Sequence, residues 1–183
     1  IAADLLSQAE HDTLACSILL TPSQDIAEKV AVEVDKQLAK LSRNEIAKKS
    51  IESYGRIVVT ETMEEAIDLA NEIAPEHLEL AVENPFDYLN KIRNAGAIFL
   101  GEYSPEPLGD YFAGPNHTLP TSGTAKFASP LSVDAFIKKS SVIYYTREAL
   151  TAVKDKIIRI AESETLTAHA NSIRVRFESD EDE

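Results

Sequence analysis

A mostly parallel α/β fold followed by a small helical appendage is the architecture this sequence predicts, and three observations predict it. Short apolar runs alternate with amphipathic stretches of helical period along the first hundred residues. Several runs, such as Ile57-Val58-Val59, are apolar without alternation, as in parallel strands covered on both faces. Beyond a stretch rich in glycine and proline, residues 101–130, the pattern turns helical to about residue 177.

Each element follows in order. Residues 2–11 combine strong helix formers with apolar positions at helical spacing, and nothing caps their start. The chain opens on Ile1 and its single methionine is Met63, so it reads as a piece of a longer translation product. Residues 15–20 fit a buried strand, with Cys16 in the core. Thr21 is then a candidate N-cap and Pro22 a first-turn proline. Ile26, Val30, Val34 and Leu38, with Leu41 three further on, put one stripe of a long helix against a core. A strand at 56–60 precedes Thr62-Met63-Glu64-Glu65, a capping-box pattern that opens a helix over 66–73. A strand at 78–82, a helix at 85–93 and a strand at 97–100 repeat the unit, and sites in such sheets form at the carboxyl ends of strands.

Residues 101–130 form a loop long enough to be functional, and Tyr103, Tyr111, Phe112 and Phe127 favour an ordered one. The remainder reads as helical with a brief strand at 142–145, which sets a domain boundary near residue 131. Residues 1–131 then form the α/β domain and 132–183 a helical tail domain, ending in an acidic, disordered stretch at 178–183.

Charge and composition exclude several classes of function. Eighteen Lys and Arg against 31 Asp and Glu give a net charge of -13, which argues against a nucleic-acid or anionic-membrane surface. No uncharged apolar run approaches the roughly 18 residues of a membrane span, and no signal peptide opens the chain, so a soluble protein is expected. One cysteine permits neither an internal disulfide nor a thiolate metal cluster, which points to a reducing, cytoplasmic setting. The six glycines include no pair two apart, so there is no dinucleotide fingerprint, and no P-loop lysine or nucleophile elbow occurs.

The chemistry-bearing residues gather around four histidines. Gln8 and His11, three apart on a helix, share a face and suit either an ion or a solvated surface. Glu76-His77 sits at a helix–strand junction, where an adjacent acid and imidazole can divide two proton transfers or simply face water. Two glycines and a proline shape the loop around Asp110, Asn116 and His117, which suggests backbone held close to a ligand. Glu164 and His169 are five apart on an expected helix and so point about 140° apart.

Taken together, these segments resemble the histidinol dehydrogenase family. The resemblance rests on Asp4-Leu5-Leu6-Ser7-Gln8-Ala9-Glu10-His11-Asp12, on Ala74-Pro75-Glu76-His77-Leu78-Glu79, and on Leu108-Gly109-Asp110-Tyr111 with Ala113-Gly114-Pro115-Asn116-His117. Leu119-Pro120-Thr121 and Glu164 with His169-Ala170 complete it, all in order. It implies part of an incomplete doubly wound sheet and a zinc enzyme that oxidises L-histidinol through histidinaldehyde to L-histidine with NAD, the last step of histidine biosynthesis. It further implies a zinc ion held by Gln8, His11, Asp110 and His169, with the substrate's imidazole and amine completing the shell. His77 would be the general base and Glu76 the residue that activates water. His117 and Glu164 would contact substrate, as would His77 and the four metal ligands. The family is a homodimer in which Glu164 and His169 would serve the partner's site. Its chain is more than twice this length and its NAD contacts precede Ile1, so no NAD-binding residue is expected here, and the piece alone is expected to be inactive. Thr165 stands where the family commonly has glycine.

Two other readings stay open at this point. One is a non-catalytic zinc or imidazole-binding module. The other is a structural dimerisation domain, in which the four ligand candidates would not converge.

Overall fold

The computed structural model describes residues 1–178, so the expected disordered end lies, apart from Glu178, outside the described residues. The chain divides into two compact units, Ile1–Ile137 and Lys138–Glu183.

The first unit is α/β. Helix α1 (Ala2–Ala9) leads to β1 (Ile18–Thr21), and α2 (Gln24–Leu38) with α3 (Asn44–Tyr54) forms the crossover to β2 (Arg56–Val59). Then come α4 (Met63–Ile73), β3 (His77–Leu80), α5 (Phe86–Leu89), β4 (Ala97–Leu100) and a single turn, α6 (Glu106–Leu108). β1 pairs in parallel with β2, Ile18 opposite Arg56, and β3 in parallel with β4, His77 opposite Ala97. The parallel α/β expectation therefore holds, as two strand pairs each joined through helix.

The apolar core joins α1 to α2 through Ala2, Leu6, Val30 and Val34. The stripe on α2 is turned slightly from the expected one, with Ala27 buried and Ile26 exposed. Ser23, not Thr21, caps that helix by accepting the Ile26 N–H at 3.3 Å; Thr21 ends β1, and its hydroxyl accepts the Ser23 N–H at 3.2 Å. Cys16 precedes the strand and is exposed rather than core, its thiol 3.4 Å from the Tyr54 carbonyl. Helix α3 has no counterpart in the sequence reading, because it buries only Ala47 and Ser50 and so shows no stripe of large apolar residues. The Ser50 hydroxyl satisfies the Ala15 carbonyl at 2.8 Å. Thr62 caps α4 as expected, accepting the Glu65 N–H at 3.1 Å, while the Glu65 carboxylate reaches back to the Glu61 N–H at 2.7 Å.

Residues 101–130 are ordered, with a π turn over Gly109–Ala113 and a short 3-10 turn over Thr124–Lys126. The four aromatics do not supply that order, since each is more than four-fifths exposed.

The second unit is helical. α7 (Arg147–Ser163) is capped by Thr146 and followed by α8 (Thr167–Arg174). Arg174 pairs with Glu162, and Lys154 lies 4.9 Å from the Phe177 ring centre. Between the helices Thr165 adopts φ +62°, a left-handed conformation costly for a branched residue and free for glycine. Residues 131–146 depart from the expected helix, forming one 3-10 turn at Val133–Phe136, and the strand expected at 142–145 does not form. An apolar run of that length needs a ladder partner, and none pairs with it among the described residues.

Candidate metal and catalytic site

The site grows from β3, whose sequence His77-Leu78-Glu79-Leu80 alternates polar and apolar. Strand geometry puts His77 and Glu79 on one face and Leu78 and Leu80 on the other. Helix α4 ends at Ala74 in the left-handed region, and Pro75 blocks its continuation. The chain is then held by the Gly96 N–H on the Pro75 carbonyl at 2.9 Å and the Ala97 N–H on the Glu76 carbonyl at 2.8 Å. A side chain at position 96 would place its Cβ 2.5 Å from that Glu76 oxygen, so glycine is required for this approach. The His77 ring packs at a tilt against Phe99, 6.0 Å between centres. His77 opens β3, so the polar cluster lies at that strand's amino end and across its face, not at the carboxyl ends where the fold class directs attention.

After β4 the chain turns at Gly101 and brings α6 back over the same face. The Glu106 N–H donates to Glu79 Oε1 at 2.9 Å, and Glu106 Oε1 stands 3.9 Å from His77 Nε2. A Cβ on Gly109 would lie 2.7 Å from the Phe99 ring, which shows how tightly the returning segment is laid down. Asp110 follows in the π turn, and ligand atoms of His77, Glu106 and Asp110 all lie within 4.8 Å of one another.

Burial pushes the Glu106 carboxyl above the usual carboxylate range, helped by the charge of Asp110, a hydrogen bond with it and the charge of Glu76; His11 opposes the shift. Burial also raises Glu79, reinforced by Asp4 and opposed by the Glu106 N–H. Helix α1 carries Asp4 and Gln8, four apart on one face, and His11 lies just beyond its end. Gln8, Glu76, His77, Glu79 and Glu106 line one cleft of about 750 Å³.

Of the residues singled out from the sequence, Gln8, His11, Glu76, His77 and Asp110 therefore meet in one neighbourhood. His117 is exposed on its loop. Glu164 and His169 are exposed in the second unit; Glu164 caps the end of α7 and His169 lies in α8, because the chain breaks at Thr165, so the angle expected for a single helix does not apply. Asp4, Glu79 and Glu106 were not singled out as site residues. The glycines at 101 and 109 that bracket the Glu106 turn are the one signal that marked it.

The implied zinc ligands can be tested against this chemistry. An amide oxygen, imidazole nitrogen and carboxylate oxygen suit that borderline ion, and one of each is supplied by Gln8, half-buried along the cleft, Asp110, half-buried in the π turn, and His11, exposed just beyond α1. In donor type the three fit the metal, while the residues whose ligand atoms lie within 4.8 Å of one another are His77, Glu106 and Asp110.

The family model described as histidinol dehydrogenase matches residues 1–177. The chain belongs to the histidinol dehydrogenase family. It is 62% identical over 180 residues to the histidinol dehydrogenase of Caldanaerobacter subterraneus subsp. tengcongensis, a match that covers 98% of this chain and 42% of that protein. Against the histidinol dehydrogenase of Clostridium acetobutylicum it is 61% identical, covering 97% and 41%. The crystal structure of histidinol dehydrogenase from Elizabethkingia anophelis superposes with a TM-score of 0.88 at 43% identity, covering 97% of this chain and 41% of that one. The chain thus spans about two fifths of the length of the histidinol dehydrogenases it matches. Among the described residues no helix is long and apolar enough to cross a membrane.

Proposed function

We propose that this chain carries the zinc and proton-transfer residues of a cytoplasmic, NAD-linked histidinol dehydrogenase. The observation that carries this reading is that Gln8, Glu76 and His77 line one cleft, with Asp110 close to His77 and Glu106 and with His11 near enough to act on the Glu106 charge, in a chain of this family. Gln8, His11 and Asp110 would hold zinc together with His169, which would come from the helical tail domain of a partner subunit in a homodimer. Zinc, when bound, supplies a positive anchor for the substrate's imidazole and amine. His77 accepts the hydroxyl proton of L-histidinol as the carbinol carbon gives a hydride to NAD, yielding histidinaldehyde. Glu76 takes a proton from water as it adds to the aldehyde carbon, and a second hydride passes to another NAD to leave L-histidine. His117 and Glu164 contact the substrate.

Each turnover consumes one histidinol, one water and two NAD and releases one histidine, two NADH and the protons freed in the two oxidations. The test is histidinol-dependent NADH formation by the protein expressed from its complete reading frame, with two NADH per histidine expected; no NADH formation overturns the reading. The 183-residue chain by itself is expected to bind zinc weakly and not to reduce NAD.

A further inference from the structure

We infer that Glu106 is the positioning residue for His77, a role that rests on the function proposed above. Glu106 is neither in the proposed metal set nor among the proposed substrate contacts, yet its side chain is 12% exposed beside a His77 side chain 17% exposed. A carboxyl is rarely that enclosed without a partner. Asp110, with which it shares a hydrogen bond, and Glu76 carry like charge, so the groups that favour its charged form are imidazoles, His11 and His77. Of these, His77 stands with its Nε2 3.9 Å from Glu106 Oε1, and catalytic hydrogen bonds are often this long before substrate binds.

The arrangement is built from the backbone up. Glu79 accepts the Glu106 N–H, which fixes the α6 turn on β3 two residues from His77. Phe99 supports the imidazole from the side, and the bare backbone of Gly109 packs against the same Phe99 ring. The His77 ring therefore stands between an aromatic wall and a carboxylate. When His77 holds the alcohol's proton, Glu106 receives a ring N–H and keeps the ring in its reactive rotamer, as carboxylates do behind other working histidines.

The test is a double-mutant cycle in the protein expressed from its complete reading frame. Glu106→Gln should lower kcat about tenfold to a hundredfold, as loss of such a supporting partner commonly does, with zinc content and the KM for histidinol within about twofold. Glu106→Asp should recover most of the rate. In a His77→Asn background Glu106→Gln should cost nothing further, because its effect passes through His77. A second readout needs no turnover: in ¹⁵N-histidine-labelled protein the ring signal lost in His77→Asn should move in Glu106→Gln. An equal loss of rate in both backgrounds, zinc loss in step with activity, or an unmoved ring signal would overturn the assignment. Should the parent protein fail to oxidise histidinol, the functional reading falls while the ring signal still decides whether Glu106 holds His77.

Discussion

The two strand pairs of the first unit have the same length, the same parallel sense and opposite natures. The β1–β2 pair is apolar: Ile57, Val58 and Val59 follow one another without a break and are all at least 36% exposed, and the adjoining helices pack through Leu6, Val30 and Val34. The β3–β4 pair is held by polar groups. Asn71 of α4 is buried, its side-chain oxygen accepting from the N–H groups of Arg93 (2.6 Å) and Asn94 (3.1 Å) and its amide donating to the Lys91 carbonyl (3.0 Å). This lock positions the segment that ends in Gly96 and so fixes Glu76-His77. In a parallel sheet continuous apolar strands are the rule, and the alternation of His77 and Glu79 with Leu78 and Leu80 is the departure that marks the chemical face.

The sharpest way to separate the pairs is to remove the proposed base. In the protein expressed from its complete reading frame, His77→Asn should lower the histidinol oxidation rate about 10²- to 10⁴-fold, the usual worth of general-base catalysis, while zinc content and melting temperature stay near those of the parent. Metal analysis beside steady-state kinetics checks this, and a primary loss of zinc would contradict the role of His77.

Next in size are the two kinds of support. Leu6→Ala should cost about 2–5 kcal/mol in denaturant unfolding, the range for a buried leucine emptied to a cavity. Asn71→Leu should cost about 1–3 kcal/mol for each buried backbone group it leaves without a partner. The comparison predicts different consequences below the melting transition: Asn71→Leu should disturb activity because it loosens the Gly96 approach, whereas Leu6→Ala should act through stability. Equal loss of activity per unit of lost stability in both variants would erase the distinction.

The same contrast explains how much could be read from residues alone. Elements with large apolar stripes or explicit caps, such as α2 and the Thr62–Glu65 start of α4, are written in local periodicity. Helix α3 escapes because its buried positions are Ala47 and Ser50, too small to leave a pattern. Residues 131–146 mislead because composition alone suggests helix there, while no strand among the described residues pairs with them. Within the site, Glu76 and His77 are adjacent in sequence and stand out by their junction. Glu106 lies 29 residues beyond His77, and its approach exists only because the chain doubles back at Gly101. Glu79 looked like one more polar residue on a strand because its partner, the Glu106 N–H, is supplied by that returning turn.

Glu79 provides the smallest effect and the finest test of the polar pair. Burial, and then the charge and hydrogen bonding of Asp4, hold its carboxyl above the ordinary value of 4.5, so the folded chain binds this proton more tightly than the unfolded chain does. The sign follows from linkage. The stabilising contribution is complete below the unfolded value and is lost as pH rises through the folded one. Glu79→Gln retains an oxygen to accept the Glu106 N–H and removes the titration. Thermal unfolding of the metal-free protein, followed in steps from about pH 4 to about pH 8, should therefore lose stability with rising pH less steeply in Glu79→Gln than in the parent. Parallel profiles would mean that the β3 face is open enough to water to ionise Glu79 freely. The contrast with the apolar pair would then rest on Asn71 and His77 alone.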